Sequence, residues 1–227
     1  LSRPRLLQML EQGMESRAAT LLSGRAGTGK TLIAAEFARN CGRRVAWFKV
    51  DGSDDDHAVF FRYLFASIRV NWPHFCERWE KIFRITANAS DMEVFADYFV
   101  GELQDQSAEP LLIVLDDLHL VYDAPWLTPF FSRVIPLLPR NVHLLISGRS
   151  LPPAPLWRLR SKQMLAVVEE SELAFTADEA RELFGQDGAG DSVVGALKES
   201  RGRAALLDEL ATQAGRSGRY FRPLTGQ

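Results

Sequence analysis

In the run Gly24-Arg25-Ala26-Gly27-Thr28-Gly29-Lys30-Thr31, four residues separate Gly24 from Gly29, and a lysine and a hydroxyl residue follow. Phosphate chemistry asks for this combination. Glycine lets the backbone approach an anion that a Cβ would hold off, and successive N–H groups at a helix start carry the partial positive charge that attracts it. Lys30 can bridge β- and γ-phosphates, and the Thr31 hydroxyl can hold Mg²⁺. The nucleotide-holding run is therefore Gly24, Arg25, Ala26, Gly27, Thr28, Gly29, Lys30, Thr31 and Leu32. An apolar stretch, Ala18 to Leu22, feeds it and a helical pattern leaves it, which separates a phosphate loop from an ordinary glycine-rich turn. The expected ligands are ATP or ADP with Mg²⁺, ahead of GTP.

A phosphate loop needs an acid at the end of another buried strand, and Leu111 to Leu115 followed by Asp116 and Asp117 supplies it. Asp116 is expected in the Mg²⁺ shell, through water, alongside Thr31. Asp117 is the candidate for orienting the attacking water. Its carboxylate lies one methylene closer to the backbone than that of a glutamate, so hydrolysis should be slow. Arg149 closes the apolar run Val142 to Ser147 and is the candidate sensor of the γ-phosphate, with a larger gain from a triphosphate than from a diphosphate. His119 is expected either to contact the acid pair or to be a surface histidine of the loop.

These residues need a scaffold of alternating elements. Five strand-like runs, Ala18 to Leu22, Val45 to Val50, Leu111 to Leu115, Val142 to Ser147 and Met164 to Val168, are separated mostly by helical patterns. The expected fold is α/β, a parallel-sheet P-loop NTPase core of the additional-strand class, followed by a small helical segment. Phe60, Phe61, Leu64, Phe65 and Ile68 share a helical face and read as core rather than as a ligand surface. Capping-box spacing marks helix starts at Ser90 to Glu93 and at Thr176 to Glu179. The second opens a run of short helices without strand patterns. The expected domains are thus 1–170 for the nucleotide and 171–227 for the start of a second, helical unit.

The 227 residues are 46% hydrophobic, enough for one substantial core, and a net charge of −2 gives no global attraction to nucleic acid or anionic membranes. No apolar run approaches the roughly 18 residues of a membrane span, and the N-terminus lacks a signal-peptide pattern, so the expected location is cytoplasmic. Cys41 and Cys76 do not make a disulfide framework or a zinc site. Leu1 in place of Met, together with the Gly- and Arg-containing end at Gln227, is what a piece of a longer protein would show, and expression boundaries would explain it equally.

With these residues in view, the chain resembles the signal-transduction ATPases with numerous domains (STAND), within them the MalT-like regulators that often carry a LuxR-type DNA-binding region. The resemblance runs from Arg3-Pro4-Arg5-Leu6-Leu7 through the phosphate loop, Trp47, the Phe60 to Ile68 helix, Asp116-Asp117-Leu118-His119 and Ser147-Gly148-Arg149, to Leu173-Ala174-Phe175-Thr176. It implies that Arg3 to Leu6 lie near the adenine. It also implies that nucleotide turnover sets a switch controlling self-association or transcription through sensor and DNA-binding domains outside this chain. One departure is Gly202-Arg203-Ala204, where relatives often have Gly followed by Trp.

Two other readings compete. In a small-molecule kinase, Arg149, Arg158 and Arg160 would clamp the transferred phosphoryl group, but no acceptor motif is evident. A motor-type ATPase would ordinarily carry a glutamate beside Asp116 and an arginine finger. Among the remaining basic residues, Arg201, Arg203, Arg216, Arg219 and Arg222 are expected to be a solvated helix and linker rather than a base-reading surface.

Overall fold

The computed structural model describes residues 2–77, 91–106, 109–185 and 190–213. Five parallel strands form one sheet: β1 (Ala19–Ser23), β2 (Arg44–Lys49), β3 (Leu111–Asp116), β4 (Val142–Gly148) and β5 (Leu165–Val168), in the order β2-β3-β4-β1-β5. The extra strand β4 thus lies between the strand that feeds the phosphate loop and the strand that carries the acids. That is the arrangement expected of the additional-strand class.

Strand residues alternate between the two faces, and helices cover both, which is why these strands are apolar almost throughout. Leu21, Ile113, Leu115, Leu144 and Ile146 join one core. Against it pack α3 (His57–Arg69), α4 (Met92–Asp105), α5 (Leu127–Leu137) and α6 (Ala154–Ser161). The expected aromatic stripe is part of this core: Phe60 and Phe61 are buried, and the Phe61 ring centroid lies 4.6 Å from those of both Phe95 and Phe130. Leu22, Leu112, Val114, Leu145 and Val168 point the other way, towards α1 (Pro4–Ser16) and α2 (Lys30–Asn40).

After β5 come α7 (Glu170–Leu173), α8 (Ala177–Phe184), α9 (Gly190–Ser200) and α10 (Ala204–Gln213). Phe175, Phe184, Val193 and Leu207 give the last three of them an apolar cluster of their own, on which Leu32 of α2 packs, whereas Leu173 of α7 joins the core with α1 and α2. The Thr176 capping box is formed in both directions. Its counterpart at Ser90 begins outside the described residues, as do Arg216, Arg219 and Arg222; Asp91 is the residue that precedes α4.

Register positions the chemistry. Ser23 pairs with Gly148, and Leu115 pairs with Ile146. The loop after Ser23 therefore starts beside the end of β4, and Asp116 comes level with Ser147. The carboxyl ends of β1, β3 and β4 share one edge of the sheet, the edge where ligands bind in open parallel sheets.

Candidate functional site

The phosphate loop turns between β1 and α2 with Gly27 at φ 79° and Gly29 at φ 88°, values that side chains disfavour. Gly29 is the residue before α2, so the N–H groups of Lys30, Thr31 and Leu32 open the helix without acceptors of the helix's own. Only the backbone N–H of Leu32 is offered at this end, since its side chain packs on the C-terminal cluster. The loop is tied at its base by the Gly24 N–H donating to the Gly148 carbonyl at 3.2 Å. Thr28, also buried, donates its hydroxyl to the Arg25 carbonyl at 2.9 Å.

Lys30 is only 6% exposed, and its Nζ donates to the carbonyls of Gly24 at 2.6 Å and Arg25 at 3.0 Å. Burial holds its pKa below the usual lysine range, the charge of Asp117 opposes that shift and Arg149 adds to it. Three residues far apart in sequence thus sense one another across the site. A cleft of about 160 Å³ is lined by Ala26, Gly27, Gly29, Lys30, Thr31, Leu32, Asp117 and Arg149.

The Thr31 hydroxyl donates to Asp116, with its oxygen 3.1 Å from Oδ1 and 3.0 Å from Oδ2. Ser147 donates to Oδ1 of the same carboxylate at 2.5 Å and accepts the N–H of Asp117 at 2.9 Å. One hydroxyl therefore fixes the orientation of the first acid and the backbone of the second. Asp117 needs that support: it stands at φ 62°, a left-handed conformation that a residue with a side chain adopts at some expense in energy. His119 Nδ1 lies 3.7 Å from Asp117 Oδ1, and burial is the largest influence lowering the pKa of this imidazole. The hard oxygens of Thr31 and Asp116 next to the phosphate loop fit Mg²⁺ shared with a nucleotide, and Lys30 and Arg149 fit its phosphates. When bound, Mg²⁺ would neutralise phosphate charge that these two cations do not cover.

The backbone of the expected phosphate run gathers at this edge of the sheet with Asp116, Asp117 and Arg149, but the Arg25 side chain turns to Glu170 of α7 and that of Leu32 packs on the C-terminal cluster. Arg158 and Arg160 do not join this edge. Arg158 is exposed on α6, and Arg160 pairs with Glu169 at 2.9 Å. Sequence reasoning gave no role to Ser147, although a small polar residue ending an apolar strand was the available signal. It also missed Glu170, which binds Arg25, and Ala205, whose N–H donates to the Gly27 carbonyl at 2.9 Å. Arg3 lies 1% exposed, with its guanidinium carbon 4.1 Å from the centre of the Phe175 ring. It donates to the carbonyls of Leu173 and Ala174 and to Glu179.

Comparison with known proteins agrees with this geometry. The HTH-type transcriptional regulator MalT of Serratia proteamaculans is 32% identical over 213 residues, covering 92% of this chain and 22% of that protein. MalT of Klebsiella pneumoniae is 31% identical over 183 residues, 80% of this chain and 20% of its own length. The chain therefore spans about a fifth of these curated relatives. A Walker-type ATPase of Pyrococcus abyssi has the same fold, with a TM-score of 0.56 at 14% identity over 96% of this chain and 69% of that one. A model of the AAA ATPase domain matches residues 3–151, from the buried Arg3 past the sensor candidate Arg149, and this chain belongs to that family.

Proposed function

We propose that this chain is the nucleotide-binding switch of a regulatory ATPase of the STAND, MalT-like kind. It takes up ATP with Mg²⁺, hydrolyses it slowly in the cytoplasm, and governs self-association or transcription through sensor and DNA-binding domains of a longer, LuxR-type protein. The observation that carries the reading is Asp116, held by Thr31 on one side and Ser147 on the other, directly beside Lys30 and the phosphate loop. The likeness to MalT supports the regulatory part of it. Residues 1–170 are the nucleotide-binding unit in this reading. The apolar cluster of α8, α9 and α10 supports 171–227 as the start of a second unit.

Asp117 then orients the attacking water, and Arg149 distinguishes triphosphate from diphosphate. Retention of nucleotide is the property that separates a switch from a motor or a kinase. The test is to denature the purified protein and identify the released nucleotide, then to measure turnover with and without small-molecule acceptors. Release of ADP or ATP together with slow hydrolysis supports the switch. Phosphoryl transfer to an acceptor would overturn it, and unchanged ATP affinity in Lys30→Ala would overturn the phosphate site itself.

A further inference from the structure

The outer side of the phosphate loop is gripped at two points by the helices that follow β5, across the boundary at residue 170. Glu170, the first residue of α7, accepts the backbone N–H of Arg25 on Oε2 at 2.9 Å. Its Oε1 accepts Nε of the Arg25 guanidinium at 2.8 Å and a terminal nitrogen at 2.6 Å. The second grip is the Ala205 N–H on the Gly27 carbonyl at 2.9 Å, and a Cβ added to Gly27 would come within 3.0 Å of the Ala205 Cβ. Gly24 is equally close-set: a Cβ there would lie 3.2 Å from Leu173 Cδ1 and 3.4 Å from Glu170 Cβ.

A loop that must present several N–H groups to one anion loses affinity if it can adopt other shapes, because ordering it on binding draws on the binding energy. We propose that Glu170 is a positioning residue for the phosphate loop: by clamping Arg25 it holds the loop in its phosphate-receiving shape and makes nucleotide affinity depend on the seating of the helical segment. This rests on the phosphate-site reading above. A carboxylate on both a backbone N–H and a guanidinium fixes the main chain as well as a side chain, which a surface ion pair between two side chains does not. The guanidinium and N–H of Arg25 hold the Glu170 carboxyl below the usual carboxylate range. Arg25 therefore serves the site from outside, turned to α7 rather than to the phosphates. The coupling is reciprocal: bound nucleotide must tighten the grip of α7 and α10 on the loop by the same factor.

Titration of Mg²⁺-ADP into Glu170→Ala should show affinity reduced by roughly fivefold, with Glu170→Gln intermediate because its amide keeps one acceptor oxygen but turns an NH2 donor towards the other Arg25 donor. Glu170→Arg should be weaker still, and Arg25→Glu combined with Glu170→Arg should recover part of the loss. A role confined to the stability of α7 would give no such recovery. Hydrogen exchange on the unaltered protein supplies an arm that needs no variant, with added Mg²⁺-ADP slowing exchange at Arg25 and Ala205. Equal affinities across the Glu170 series, or exchange at both amides indifferent to nucleotide, would overturn the proposal while leaving the phosphate site standing if Lys30→Ala still abolishes binding. A wild-type chain that binds no Mg²⁺-ADP would overturn both.

Discussion

At the scale of single residues, the site works through hydroxyls and charges shared between strands. Ser147 serves both acids at once, so Ser147→Ala leaves the Asp117 N–H without this acceptor and the Asp116 carboxylate oriented by Thr31 without Ser147. Turnover should fall about tenfold and the Mg²⁺ concentration needed for half-maximal rate should rise, because an ångström of misplacement costs about that much or more. A rate profile against Mg²⁺ checks both; an unaltered profile would remove Ser147 from the site. Arg149→Ala should weaken ATP binding about tenfold more than ADP binding, since a guanidinium gains most from the additional charged phosphate. Parallel titrations with the two nucleotides decide it, and equal losses would mean that Arg149 senses only the shared phosphates.

At the scale of elements, much was legible in advance because it is local. All five strands were readable from apolar runs, and the register that sets Asp116 level with Ser147 follows once β4 is inserted between β1 and β3. The Thr176 capping box was readable for the same reason: donor and acceptor sit three residues apart. The grips of Glu170 and Ala205 on the phosphate loop, and of Arg3 on Phe175, were not. They join residues with no periodic relation, and a charged residue near a helix start reads as a solvated cap until the chain folds back on itself. Gly202 belongs to this hidden set. It stands at φ 70°, its carbonyl accepts the Phe175 N–H at 2.8 Å, and a Cβ on it would lie 3.0 Å from both the Ala174 Cβ and the Phe175 nitrogen. Gly202→Ala should therefore destabilise the packing of α7 to α10 by about 2 kcal/mol. Faster proteolytic cleavage between residues 170 and 213, with β1 to β5 still protected, is the expected readout.

At the scale of the whole molecule, stability should depend on acid through a buried histidine remote from the chemistry. His143 on β4 is 1% exposed, with Nε2 3.0 Å from the Thr20 hydroxyl and Nδ1 3.2 Å from the Arg17 carbonyl. Burial lowers its pKa from 6.5 to about 4. The folded protein therefore binds this proton less readily than the unfolded chain, so the contribution is intact above pH 6.5 and is lost as pH falls towards 4. Between pH 7 and 4.5 the loss amounts to about 2 kcal/mol. Urea unfolding of wild type and His143→Gln at the two pH values isolates it: the difference between the proteins should shift by that amount in favour of the variant at low pH. Charge distribution supports a second expectation. Arg201 and Arg203 flank Gly202 in the turn before α10, the segment that also grips the phosphate loop. Contacts of this kind reach phosphates, not base edges. In competition assays at physiological salt the chain alone should not distinguish one duplex sequence from scrambled DNA, and a clear preference would place the output function inside these residues.

The burial of Arg3 sets a timetable for biosynthesis. Its hydrogen-bond acceptors lie 170 and more positions downstream, so at ribosomal speeds roughly 10 to 30 s separate the synthesis of the guanidinium from that of its first partner. Within that interval α2 is complete by residue 40 and β4 by residue 148, so the strands and loop of the site are made before α7 or α10. If nucleotide binds at that stage, the last helices would dock onto a loop already ordered by it. Nucleotide present during translation would on these terms act as a template for the docking of the C-terminal helices, and refolding yields of the denatured protein should rise with Mg²⁺-ADP in the buffer.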